Sequence, residues 1–226
     1  MKNNISLALR VITFIFVAVA LVLGGVPAIA NAAVHAYPGM QISTDTSTCT
    51  AGMVGHIGSA RYVVTAAHCY KPGERVYDSV GNGIGWYEAA YGNDDTVEEE
   101  GFALVRLWNN VTPTASMGKF GISSIDELPP QGAAVCKIGA TSNWSCGSVT
   151  RASTSDRVMS DLEALPGDSG GVVYRGTADG QAAFVGIVLG TTVLGETVVE
   201  PAEKIQRLIN SYGPTASNEF RWYVTK

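Results

Sequence analysis

Apolar positions along this chain fall into two regimes. Residues 11–30 form one run free of charge, whereas from residue 33 onward the apolar segments are short, rich in Val, Ile, Thr and Tyr, and separated by glycine and small polar residues. Segments of that make-up between turn residues read as strands, because β-branched and aromatic side chains suit a pleated surface and glycine suits the turns. The clearest are residues 61–65, 102–108, 133–138, 171–174, 184–189 and 197–199. One segment reads as helix: Pro201 suits a first helical position, Ala202, Ile205, Leu208, Ile209 and Tyr212 recur at helical spacing, and Gly213 stops the run. The expectation is an all-β chain with a C-terminal α-helix.

The uncharged run changes what counts as the folded part. Lys2 and Arg10 precede it, and the small-x-small sites Ala28-Ile29-Ala30 and Ala30-Asn31-Ala32 follow, which is the layout of a signal peptide over residues 1–32. Retention of the run as a membrane anchor is the alternative, though Gly24, Gly25 and Pro27 thin its apolar end. The first 32 residues hold two of the 15 basic and none of the 20 acidic residues, so the remainder carries 13 − 20 = −7. An acidic, exported chain argues against nucleic acid as a partner and against a membrane partner once the signal is removed. About 190 residues suit one large all-β unit. A polar, proline-containing stretch at 123–131 reads as the connection between two halves, 33–122 and 131–213, with 214–226 left as a tail.

Cys49, Cys69, Cys136 and Cys146 all lie in the exported part. In an oxidising compartment an even count reads as disulfides, for which four cysteines allow three connectivities. The most local pairing is Cys49–Cys69 with Cys136–Cys146, each bridge contributing about 3 kcal/mol in the chain-entropy model. Zinc is the alternative, but no Cys-x-x-Cys or His-x-x-x-His spacing supports it, and neither a metal nor another cofactor is expected.

Candidate chemistry sits in two stretches. Leu165-Pro166-Gly167-Asp168-Ser169-Gly170-Gly171 places a serine between glycines, where a tight loop exposes a hydroxyl and leaves backbone N–H groups for a developing oxyanion. Thr65-Ala66-Ala67-His68-Cys69 supplies a histidine, a base that titrates near neutrality as a serine nucleophile requires. His35 and His56 read as ordinary surface or core histidines. Together, Val63-Val64-Thr65-Ala66-Ala67-His68-Cys69 and Gly167-Asp168-Ser169-Gly170-Gly171 resemble the histidine and serine motifs of the chymotrypsin-like serine proteases. The likeness is nearest to the secreted bacterial, streptogrisin-like branch, where a cysteine pair frames a loop similar to residues 135–147 and a terminal helix ends in Tyr-Gly.

The resemblance implies a pair of antiparallel six-stranded β-barrels with a C-terminal helix, and a site in the cleft between them. It implies a secreted, monomeric serine endopeptidase acting on protein or peptide substrates, and open to protein inhibitors. His68 would be the general base, Ser169 the nucleophile, and the N–H groups of Gly167 and Ser169 the oxyanion donors. Asp168 would need a buried cation, and Lys137, just after Cys136 where bacterial relatives carry arginine, is the candidate.

Three departures from the family pattern matter. Relatives carry an aspartate directly before a strand like Phe102-Ala103-Leu104-Val105-Arg106-Leu107, and here that position is Gly101. Glu100 takes the role if the chain bulges by one residue; strand alternation instead puts Glu99 on the face of Gly101, and Asp94 and Asp95 are weaker candidates. With no carboxylate, the runner-up reading is a protease homologue that keeps the fold as an extracellular binding module. Second, Glu163 and the segment after Gly190 hold no thiols for the bridge that flanks the specificity pocket in many relatives, and Val188-Leu189-Gly190-Thr191 occupies the substrate-pairing strand. The pocket floor falls on Asp161, or on Glu163 without a two-residue insertion, and either favours a basic substrate side chain. Third, neither a freed Ile or Val N-terminus nor a long pro-segment follows the signal.

Overall fold

In the computed structural model, residues 33–92, 101–126, 128–214 and 219–226 are described. Residues 1–32, expected to be a signal peptide, lie outside them, and residues 33–226 form one compact unit.

Two closed antiparallel circuits make up most of it. In the first, Gln41–Ser43 pairs with Thr48–Thr50, whose run continues into Met53–Ile57 and then pairs in turn with Ala60–Thr65, Phe102–Leu107, Gly83–Tyr91 and Arg75–Tyr77. The register Ser43↔Tyr77 closes it. In the second, Ala134–Gly139 pairs with Asn143–Ser148, a bridge between Val149 and Ser160 leads to Val158–Ser160, and pairing continues through Thr197–Pro201, Ala182–Thr191 and Val172–Gly176 back to Ala134–Gly139. The two barrels implied by the sequence motifs are therefore present.

Successive side chains on a strand face opposite ways, and here both faces are covered. Val63 and Val105 point into the first barrel with Ile42, Val54, Val76 and Ile84. Their neighbours Val64 and Leu104 join Val172, Phe184 and Ile187 in a second cluster between the barrels, while Val173, Val185, Val188 and Val199 fill the second barrel. This explains why the core strands read as unbroken apolar runs rather than as alternation.

The helix is Ala202–Tyr212, and its Ala202, Ile205 and Ile209 are buried in the cluster between the barrels. Pro201 stays extended (ψ 141°) and ends the preceding strand, so the helix begins one residue later than its sequence predicts. Strand Phe120–Ile125 runs into the stretch expected to be a connection and pairs parallel with Ala182–Thr191.

The segment expected to be a tail is built into the fold. Strand Phe220–Trp222 pairs antiparallel with the outer end of Met53–Ile57, and Phe220 is wholly buried. Asn210 Oδ1 on the helix accepts the Phe220 N–H at 2.7 Å, and the Thr225 N–H reaches Ile122 O at 2.7 Å. Among the described residues no helix is long and apolar enough to cross a membrane.

Candidate active site

His68 stands on a single 3₁₀ turn, Ala67–Cys69, at the end of strand Ala60–Thr65. The Cys49–Cys69 disulfide ties this turn to strand Thr48–Thr50, and the second disulfide is Cys136–Cys146, the local pairing that the spacing favours. A His68 ring nitrogen lies within 4.8 Å of both sulfurs of the first bridge. Those sulfurs are committed to each other, so they offer no thiolate to a metal. His35 and His56 belong to other strands, Val34–Ala36 and Met53–Ile57.

The serine loop is held from every side. Gly167 (φ +99°) and Gly170 (φ +83°) occupy conformations that L side chains rarely adopt, and a Cβ on Gly170 would come within 1.9 Å of Thr65 Oγ1. Each carbonyl from 162 to 169 accepts a hydrogen bond. The hydroxyls of Thr197, Ser145 and Thr191 donate to Leu162 O, Glu163 O and Ala164 O at 2.6, 3.2 and 3.3 Å. The Asp168 N–H donates to Leu165 O at 2.9 Å, and the hydroxyls of Thr141 and Thr50 donate to Pro166 O and Gly167 O at 2.7 and 2.8 Å. The Gly171 N–H donates to Asp168 O and the Thr50 N–H to Ser169 O, both at 2.8 Å. With the carbonyls turned into the protein, the N–H groups of Gly167 and Ser169 have no acceptor among the described residues.

Asp168 anchors the loop from beneath. Its carboxylate and the Lys137 ammonium are both fully buried, 3.0 Å apart, as charge matching in the sequence predicts. It also accepts the N–H groups of Leu165 (2.9 Å), Thr141 (2.9 Å) and Ser142 (3.0 Å), and the Ser142 hydroxyl sits between carboxylate and ammonium. Burial alone would push its pKa up; hydrogen bonds from Ser142 and Leu165 and the contact with Lys137 reverse that and hold it at about 2.

One dipeptide joins the two halves of the site. Cys49 holds the His68 turn through its disulfide, while Thr50 holds the Ser169 loop by backbone N–H and hydroxyl, accepts the Ala140 N–H at 2.9 Å, and is itself fixed by Thr65 Oγ1 on its carbonyl at 2.8 Å. Cys69 Sγ is 4.0 Å from Ser169 O. Sequence reading missed Thr50; its only signal there is a hydroxyl beside a half-cystine. It also missed Thr191 and Thr197, whose hydroxyls fasten the 162–164 segment to the neighbouring hairpin where neither stretch holds a cysteine for a bridge.

Gly101 opens strand Phe102–Leu107 with φ +142°, and a Cβ there would lie 1.9 Å from Tyr91 O. No side chain fits there without a shift of the backbone, so an aspartate is not accommodated at this position as it stands. Glu98, Glu99 and Glu100, with Asp94 and Asp95, lie outside the described residues. Asp161 and Glu163 are exposed; Asp161 Oδ1 accepts the Ser148 N–H at 2.5 Å.

No family model matches the chain. The uncharacterized protein MT1863 of Mycobacterium tuberculosis (strain CDC 1551 / Oshkosh) is 30% identical over 171 residues, which cover 71% of this chain and 76% of that protein. Among solved structures, Thermobifida fusca protease A is 21% identical over 85% of this chain and 100% of its own, with a TM-score of 0.63. Nocardiopsis protease is 23% identical (84% and 99% covered, TM-score 0.61), and Cellulomonas bogoriensis chymotrypsin 22% identical (84% and 100%, TM-score 0.59). The chain belongs to one family with MT1863, and its fold is that of the bacterial chymotrypsin-like serine proteases of the streptogrisin type.

Proposed function

We propose that this protein is a secreted serine endopeptidase, acting through an acyl-enzyme on Ser169 with His68 as general base. The observation that carries the reading is the Cys49-Thr50 junction, which fastens the His68 turn and the Ser169 loop to one strand end. Ser169 Oγ attacks the substrate carbonyl as His68 takes its proton, and the tetrahedral oxyanion is met by the N–H groups of Gly167 and Ser169. His68 then protonates the leaving amine, and water releases the acyl group by the same steps in reverse. The substrate is a peptide laid along the Leu189-Gly190-Thr191 part of the expected Val188–Thr191 stretch, since the N–H and C=O of Val188 are taken by Gly171 and Gly170, with Asp161 or Glu163 favouring a basic side chain, and protein inhibitors are the second class of partner. Two disulfides accord with an extracellular setting.

Glu100 is the proposed orienting carboxylate. Loss of such a group lowers turnover about 10⁴-fold, so Glu100→Gln removes most of the activity if the role is real. The second reading, a protease homologue acting as an extracellular binding module, is favoured by the closed backbone at Gly101. Labelling of the folded, purified protein by a fluorophosphonate, abolished in Ser169→Ala, is the outcome expected of the enzyme. Folded protein that does not label supports the binding module instead.

A further inference from the structure

The peptide between Pro166 and Gly167 carries the proposed oxyanion donor at its nitrogen and a carbonyl at its other side. Among the described residues every peptide bond is trans, so this C=O and N–H point in opposite directions, and whatever holds the carbonyl aims the N–H. The peptide is also easy to turn over. It is flanked on one side by Gly167 at φ +99°, which has no Cβ to disfavour either sense of rotation. Turned over, it would present Pro166 O where the oxyanion must sit and leave the donor facing away.

We propose that the Thr141 hydroxyl, which donates to Pro166 O at 2.7 Å, is the positioning group that keeps the Gly167 N–H aimed at the reacting carbonyl; the inference rests on the serine-protease reading above. Thr141 is itself well placed to hold a direction. Its N–H is bonded to Asp168 Oδ1 at 2.9 Å, so its backbone is tied to the buried Lys137–Asp168 pair, and the Cys136–Cys146 bridge lies across the same hairpin. Its Oγ1 is also the nearest atom to the space above Gly167, 2.3 Å from where a Cβ would stand, so the glycine and the hydroxyl fit one another. Thr50 Oγ1 fixes the following carbonyl, Gly167 O, at 2.8 Å, so the two peptide units on either side of Gly167 are held from opposite halves of the molecule. Neither threonine touches substrate in this scheme; both act through the loop.

Thr141 is exposed, so Thr141→Val keeps shape and burial while removing one donor, and its effect on folding is small. One hydrogen bond to a partly solvated carbonyl is worth roughly a tenfold change in an equilibrium. Second-order fluorophosphonate labelling and turnover of a peptide reporter are measured for wild type, Thr141→Val and Thr141→Ser. The expected result is a fall of about tenfold in labelling rate and kcat for the valine variant with KM little changed, and recovery to within about twofold for serine, which keeps the donor. Unchanged labelling in Thr141→Val overturns the proposal, as does a serine variant as slow as the valine. If wild-type protein does not label at all, the protease reading fails separately. The positioning role is then decided by crystal structures of wild type and Thr141→Val: a Pro166–Gly167 peptide turned over in the variant supports it, and an identical orientation overturns it.

Discussion

The serine side and the histidine side of the site are built by different means. Around Ser169, every carbonyl from 162 to 169 has a donor, a buried ion pair sits under the loop, and glycines stand where any Cβ would collide. At His68, a disulfide and a 3₁₀ turn hold the backbone, and at Gly101 a Cβ would meet Tyr91 O. Nucleophile positioning and oxyanion binding depend on backbone direction, which many weak local bonds can set redundantly. Histidine orientation in such a triad depends on one charged group at one place, so a single substitution tests it where no single substitution tests the serine loop.

Four measurements sharpen or break that contrast. The largest effect belongs to Lys137→Met, which leaves Asp168 charged and buried without its partner: a loss of about 3–5 kcal/mol in urea unfolding is expected, partly recovered by adding Asp168→Asn. A loss below 1 kcal/mol would mean the serine loop does not rely on the pair. Next is acid. Asp168 at about 2 lies below the unfolded aspartate value of about 3.9, so its contribution of about 2.5 kcal/mol is intact above pH 4 and is lost as pH falls through 2. The unfolding midpoint of Asp168→Asn should show a correspondingly weaker dependence over that window. On the histidine side, Gly101→Asp is expected to cost about 2 kcal/mol and to leave fluorophosphonate labelling no faster, because the new Cβ meets Tyr91 O before the carboxylate can reach His68. Faster labelling in that variant would show the position to be open after all. The smallest effect is at Tyr212→Ala. Its ring stacks on Tyr91 at 3.9 Å, and removing it should cost about 1 kcal/mol by thermal unfolding, with labelling by the serine side unchanged.

Local features were legible in the residues alone. The glycines around Ser169 and the cysteine beside His68 point to the site once the two motifs are read together as a resemblance, which also places Lys137 where bacterial relatives carry a basic residue. The longest apolar runs became core strands with ends shifted by one or two residues, as at Ala182–Thr191. What was not legible depends on register. Thr50, Thr141, Thr191 and Thr197 are ordinary residues for a β-rich chain, and only the paired strands decide that their hydroxyls converge on one loop. Gly101 shows from sequence that a carboxylate is missing, but the collision with Tyr91 O appears only when Tyr91 and Phe102 stand side by side. Strand Phe220–Trp222 was missed because its partner, Met53–Ile57, is far away in sequence and its own pattern is too short to declare a face.

That strand sets a timetable for biogenesis. Ile57 receives its partner Phe220 only after the whole second barrel and the helix have been made, a delay on the order of ten seconds or more at ribosomal speeds. Until then the first barrel carries a raw edge at Gly55–Ile57 and an empty space where the Phe220 ring belongs, and unpaired edges of this kind recruit other chains. Trimming residues 219–226 would make that passing exposure permanent, and it would be felt as aggregation of the finished chain before it was felt in any property of the site.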